Sequence, residues 1–185
     1  MLNLPNILTL SRLFLIPVFV YAAIASNFAY HWLAPLSFGL AAFTDWLDGQ
    51  AARRLNQVTE FGKVADPVVD RILIASALVT LYIKISTLVP LWAILIVVGR
   101  DILMVIGWVY ISYLGTRIRV TYEGKLATAT LMGAVFFLTL NFGDGSAQLK
   151  TIGILLFYIG VALSLLSGLK YLKLAVSILR GIKTT

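Results

Sequence analysis

Six apolar stretches separated by short polar turns constrain the fold more than anything else in this sequence. A helix rising about 1.5 Å per residue needs roughly 20 residues to cross a hydrocarbon core about 30 Å thick. Spans are expected over about residues 13–25, 32–53, 64–83, 91–114, 124–141 and 149–171. Before them, Leu2, Leu4, Ile7, Leu8 and Leu10 mix with Asn3, Asn6, Thr9 and Ser11, which suits a short amphipathic helix over residues 1–12 on a membrane surface. The expected fold class is all-α integral membrane, with six transmembrane helices plus that short N-terminal amphipathic surface helix. A hydrophobic content of 60%, a charged content of 12% and a mean hydropathy of +0.94 exclude an ordinary soluble domain. With no internal repeat or low-complexity tract, residues 1–185 read as a single membrane domain.

Charge sets the orientation. The net charge of +7 does not point to nucleic acid, because the cations are scattered between apolar segments and no basic run carries interleaved aromatics. Arg12, Arg53, Arg54, Lys63, Arg71, Arg117, Arg119, Lys125, Lys170, Lys173, Arg180 and Lys183 fall on the side of the termini, and Lys84 and Lys150 on the other. The positive-inside rule then places the termini in the cytoplasm, in what is read as a bacterial cytoplasmic membrane. Ala23 and Ala25 imitate a signal-peptidase site, but the segment before them has Arg12 as its one side-chain cation and carries Pro5 and Asn6, so it is expected to remain as the first span. The absence of cysteine excludes disulfides, thiolate metal sites and a cysteine nucleophile. The lone His31, between Tyr30 and Trp32, reads as an interfacial residue rather than a ligand or base.

Against this apolar background four carboxylates gather in one stretch. Asp45 and Asp48 stand at i, i+3 and Asp66 and Asp70 at i, i+4, so each pair shares a helical face. The polar segment between them must reverse the chain, which brings both pairs to the same membrane face. Four like charges in such a place repel one another unless a cation compensates them, and hard oxygen ligands favour magnesium, manganese or calcium. Gly49 and Ala52, four and seven residues after Asp45, strip bulk from the same face, and Arg53 offers a planar cation suited to phosphate. Pro67 is expected in the first turn of its helix, where its missing N–H costs nothing. The competing reading places the four aspartates in salt bridges with Arg53, Arg54 and Arg71. Arg100 and Asp101 fall mid-span, and since neighbours on a helix do not face each other, separate partners are expected for them.

Asp45, Asp48, Gly49, Ala52, Arg53, Gly62, Asp66 and Asp70 resemble, spacing included, the signature of the CDP-alcohol phosphotransferases, an integral membrane family. Asn3, Pro5, Asn6, Thr9 and Arg12 resemble the opening of its phosphatidylglycerophosphate synthase and cardiolipin synthase branch. The resemblance implies a magnesium (or manganese) enzyme with two ions, in which a hydroxyl attacks the phosphoryl group of CDP-diacylglycerol and expels CMP. It implies Asp45, Asp48, Asp66 and Asp70 as metal ligands, Asp70 also as the catalytic base, and Gly49, Ala52, Arg53 and Gly62 as the CDP-lipid pocket. By the positive-inside count the aspartates, and so the active site, are expected to face the cytoplasm, and the resemblance further implies a homodimer. For the polar alcohol acceptor, Arg100, Arg117, Arg119 and Lys125 are candidates to bind a phosphorylated group, which favours glycerol 3-phosphate. Phosphatidylglycerol, the acceptor in cardiolipin synthesis, is the alternative. A divalent-cation transporter is the reading from a different class, disfavoured because the carboxylates cluster at one face and no inverted repeat is visible.

Overall fold

The computed structural model of the protein describes residues 4–25, 31–55, 60–113, 122–142 and 146–182. Among these the secondary structure is entirely helical: α1 (Leu4–Ile24), α2 (Leu33–Leu55), α3 (Glu60–Ile85), α4 (Leu91–Tyr113), α5 (Tyr122–Leu140) and α6 (Ala147–Ile182). The six helices occupy the six apolar stretches, with three differences at their ends.

First, α1 is one helix with no break at residue 12, so the N-terminal segment runs directly into the first apolar stretch. Asn6, Thr9 and Ser11, expected in a separate short helix, thus belong to the same helix as Pro17, which is accommodated in its interior, while Asn3 lies outside the described residues. Second, α3 begins at Glu60 rather than near residue 64, which moves Pro67 out of the first turn and removes one i→i−4 hydrogen bond there. Third, α6 continues to Ile182, 36 residues in all. At about 1.5 Å per residue that length exceeds a hydrocarbon core about 30 Å thick, so its charged end must project beyond one. The start of α6 follows from Ser146, whose Oγ accepts a hydrogen bond from the Gln148 N–H at 3.3 Å as an N-cap.

By length and composition, two helices among the described residues are apolar enough to cross a bilayer: Tyr122–Leu140 and Ala147–Lys173. Leu10–Ile24 is a shorter apolar helix. The side chains facing outward carry the same message. Phe14, Tyr21, Leu36, Phe43, Leu95, Ile106, Leu155 and Leu166 are all exposed, distributed over several helices. A surface so broadly apolar fits hydrocarbon better than water. Inside the helices, hydroxyls return to carbonyls one turn back, as Ser37 does to Leu33 at 2.7 Å and Thr80 to Ser76 at 2.7 Å, which satisfies them without solvent.

Helix α1 packs on α2 and α3, α4 on α3 and α6, and α5 on α2, α3 and α6. The core runs through the middle of this bundle, where the Phe19 and Phe38 rings of α1 and α2 meet with centroids 5.3 Å apart. The α5–α6 seam is close because α6 presents Gly153 and Gly160 to Leu138 and Leu131. A Cβ at Gly160 would lie 2.7 Å from the Leu131 Cγ and 3.3 Å from its backbone nitrogen, so the obstruction includes main chain that cannot turn aside. Gly160→Val is expected to destabilise the bundle by about 1–3 kcal/mol, read as a lowered melting temperature in detergent.

Candidate metal and substrate site

Helices α2 and α3 are consecutive, with α2 ending at Leu55 and α3 starting at Glu60, so the aspartates of both lie toward the same end of the bundle. The structure brings Asp45 of α2 and Asp70 of α3 together around a residue of α1. The Arg12 Nη1 donates to Asp45 Oδ1 at 2.8 Å and also to Asp70 Oδ1. Arg12 has no exposed surface, while the carboxyl side chains of Asp45 and Asp70 are 34% and 26% exposed. The two carboxylates therefore lie between a buried cation and the outside, where a ligand can reach them.

The residues expected to complete this site are on the same helices. Asp48, Gly49, Ala52 and Arg53 belong to α2, and Gly62 and Asp66 to α3, but their side chains lie outside the described residues. Among the described residues, no group of three or more His, Cys, Asp or Glu side chains could hold a metal ion. The described pair nonetheless fits one. Its donors are carboxylate oxygens, which suit hard divalent cations, and a cationic nitrogen already sits on an oxygen from each helix.

The salt bridges foreseen as the competing explanation are arranged differently. Asp45 and Asp70 pair with Arg12, while Arg71 pairs with Asp101 at 3.3 Å. The side chains of Arg53 and Arg54 lie outside the described residues. Sequence reasoning counted Arg12 only as a topology cation and as part of the opening motif. The signal that could have singled it out is a lone arginine in an otherwise uncharged helix, which needs an anion from elsewhere in the fold.

A second buried polar cluster is built around Arg100 and Asp101 of α4. The Arg100 Nη1 donates to Asp101 Oδ1 at 2.7 Å, and its Nη2 to the Gly124 carbonyl at 3.0 Å and the Ser167 Oγ at 3.4 Å. The expectation of separate partners for Arg100 and Asp101 is thus corrected. An arginine stem is long enough for the guanidinium to fold back onto the neighbouring carboxylate, which Arg71 reaches from α3. The cluster ties α3, α4, α5 and α6 together. Of the acceptor candidates, Arg100 is buried in this cluster, Lys125 is exposed on α5, and Arg117 and Arg119 lie outside the described residues. Next to the cluster an apolar groove of about 280 Å³ opens between α3 and α4, lined by Val68, Ile72, Ala75, Val98 and Ile102, with Arg71 and Asp101 as its polar members.

Residues 2–166 match the family model for CDP-alcohol phosphatidyltransferase. The chain belongs to this family. The matched residues include all four aspartates, Arg12 and the Arg100–Asp101 pair. Among similar proteins is one from Rickettsia felis, 33% identical over 172 residues, covering 92% of this chain and 94% of the relative. One from Shigella flexneri serotype 5b is 34% identical over 175 residues, covering 94% of each. One from Bacillus subtilis is 32% identical over 147 residues, covering 73% of this chain and 70% of the relative. All three are named CDP-diacylglycerol–glycerol-3-phosphate 3-phosphatidyltransferase. Members of such a family act on lipid in a membrane, with divalent metal, and the apolar exterior of this bundle agrees with that setting.

Proposed function

We propose that the protein transfers the phosphatidyl group of CDP-diacylglycerol to glycerol 3-phosphate, forming phosphatidylglycerophosphate and releasing CMP. The observation that carries this reading is the agreement in name of relatives from several bacteria that align over nearly the whole chain. Phosphatidylglycerol as acceptor is not favoured, because the same relatives bear the glycerol 3-phosphate name, and ion transport leaves the family match without a reason.

The acceptor hydroxyl attacks the phosphorus attached to diacylglycerol, the P–O bond to CMP breaks, and the hydroxyl proton passes to Asp70. Asp45, Asp48, Asp66 and Asp70 hold the metal, and Gly49, Ala52, Arg53 and Gly62 line the nucleotide pocket, with Arg53 on phosphate. When bound, two magnesium or manganese ions offset the charge of the pyrophosphate and of the departing CMP. Arg117, Arg119 and Lys125 receive the phosphate of the acceptor, and Arg100, the fourth candidate for that role, also ties α4 to α5 and α6. All six helices cross the bacterial cytoplasmic membrane, with the aspartates at its cytoplasmic face, where water-soluble glycerol 3-phosphate enters and CMP leaves. The charged side chains of α2 and α3 are then those of a site at the membrane boundary. By family resemblance the working form is a homodimer.

The test is CMP release by the purified protein in detergent with CDP-diacylglycerol and magnesium, given glycerol 3-phosphate or phosphatidylglycerol. Release with glycerol 3-phosphate alone is expected, and release with phosphatidylglycerol alone would reassign the protein to cardiolipin synthesis. Chelation with EDTA is expected to lower the rate at least about a hundredfold, since metal stabilisation of the leaving charge contributes several kcal/mol, and re-addition of Mg²⁺ or Mn²⁺ to restore it.

A further inference from the structure

We propose that Arg12 is a tethered counter-cation that competes with the divalent metal for Asp45 and Asp70, and so sets how tightly the site holds its ion. The proposal rests on the metal reading above. Its geometric basis is that one nitrogen, Arg12 Nη1, bonds one oxygen from each of two helices, the position a bridging cation takes. The bonds span 33 and 58 residues of sequence, so the arrangement belongs to the packed bundle and not to any local motif.

Two physical needs are met by this one contact. A guanidinium with no exposed surface must be compensated by anions. Two carboxylates sharing one donor repel each other unless a cation stands between them. Arg12 and the aspartate pair therefore stabilise each other before any metal arrives. A divalent ion that draws both Oδ1 atoms to itself takes them from a buried guanidinium that cannot lose its proton, and the resulting cost is subtracted from metal affinity. A monovalent ion carries no more charge than the guanidinium it would displace, whereas a divalent ion carries twice as much. The exchange thus favours divalent ions over the far more abundant monovalent ones. Because linkage is reciprocal, bound metal weakens the hold of the aspartates on Arg12 by the same factor.

The experiment uses the full chain in detergent with Mn²⁺ alone, free Mn²⁺ being followed by electron paramagnetic resonance, in the wild type, Arg12→Gln, Arg12→Lys, Asp45→Asn and Asp70→Asn. Affinity is read by competition with a chelator, so that Arg12→Gln can be prepared with Mn²⁺ and need not fold without it. Arg12→Gln is expected to bind Mn²⁺ roughly five- to a hundredfold tighter than the wild type, the range of a typical coupling between sites. Its melting temperature without metal falls, and Mn²⁺ raises it by more than in the wild type. Arg12→Lys keeps the charge and stays near the wild-type affinity. Unchanged or weaker Mn²⁺ binding by Arg12→Gln, or a loss of stability that is equal with and without Mn²⁺, overturns the competition while leaving the metal site intact, provided that Asp45→Asn and Asp70→Asn bind poorly. Undiminished binding in both aspartate variants removes the metal reading itself.

Discussion

Replacing Asp70 with asparagine is expected to cut CMP release by about a hundred- to ten-thousandfold, the range for loss of a general base positioned on its substrate. The substitution is nearly isosteric, and the amide oxygen can still accept a hydrogen bond from Arg12. What it removes is the negative charge, and with it the ability to take a proton from the acceptor hydroxyl or to hold a divalent ion. Asp45 remains as a carboxylate partner of Arg12, so the α1–α2 contact survives and the bundle is expected to fold. Two measurements separate the roles. If Asp70 is a base alone, kcat falls while Mn²⁺ affinity is unchanged. If it is also a ligand, as proposed, Mn²⁺ binding weakens as well. A rate within tenfold of the wild type would show that the reaction does not depend on this carboxylate.

Asp101→Ala is expected to be the most damaging single substitution for stability, costing about 3–5 kcal/mol, as when one partner of a buried ion pair is removed. Its carboxylate receives the Arg100 Nη1 at 2.7 Å and the Arg71 Nη1 at 3.3 Å, and Asp101 is 6% exposed. Without it Arg100 keeps the Gly124 carbonyl and the Ser167 hydroxyl, both neutral, so a permanent charge at 4% exposure is left without a counter-charge among the described residues. Thermal unfolding in detergent measures the effect. The double variant Asp101→Ala with Arg100→Met is expected to recover part of the loss, since the stranded charge has gone and the apolar stem volume is kept. A loss below about 1 kcal/mol in the single variant would place the cluster with exposed ion pairs, which contribute little.

Much of this architecture is legible in the order of the amino acids. Alternation of apolar stretches with short polar turns fixes where the six helices of the described residues lie, because helices are how a chain satisfies its backbone where water is absent. It does not show that the N-terminal segment joins the first of them instead of forming a separate helix. The boundaries shift where local chemistry is ambiguous. Ser146 caps α6 slightly before the apolar run begins, and α3 extends upstream of the expected start, carrying Pro67 inside it. The aspartate spacing shows which residues share a helical face, and the short α2–α3 connection implies that the two pairs lie at one end, where Asp45 and Asp70 are found.

What the sequence by itself determined, then, is everything set by periodicity and spacing: the helices, the faces that bear carboxylates, and a family signature specific enough to imply a chemistry. Tertiary structure alone decided which cation meets which anion. Arg12 could be counted as a positive-inside anchor, and Arg71 as a partner for the site, yet the first lies between the aspartates and the second turns to Asp101. The reason is that long side chains reach several ångströms from their backbones, and which charges they find depends on the rotation and packing of helices far apart in the chain. Local spacing fixes the face a residue occupies on its own helix, and only the packed bundle fixes what that face meets.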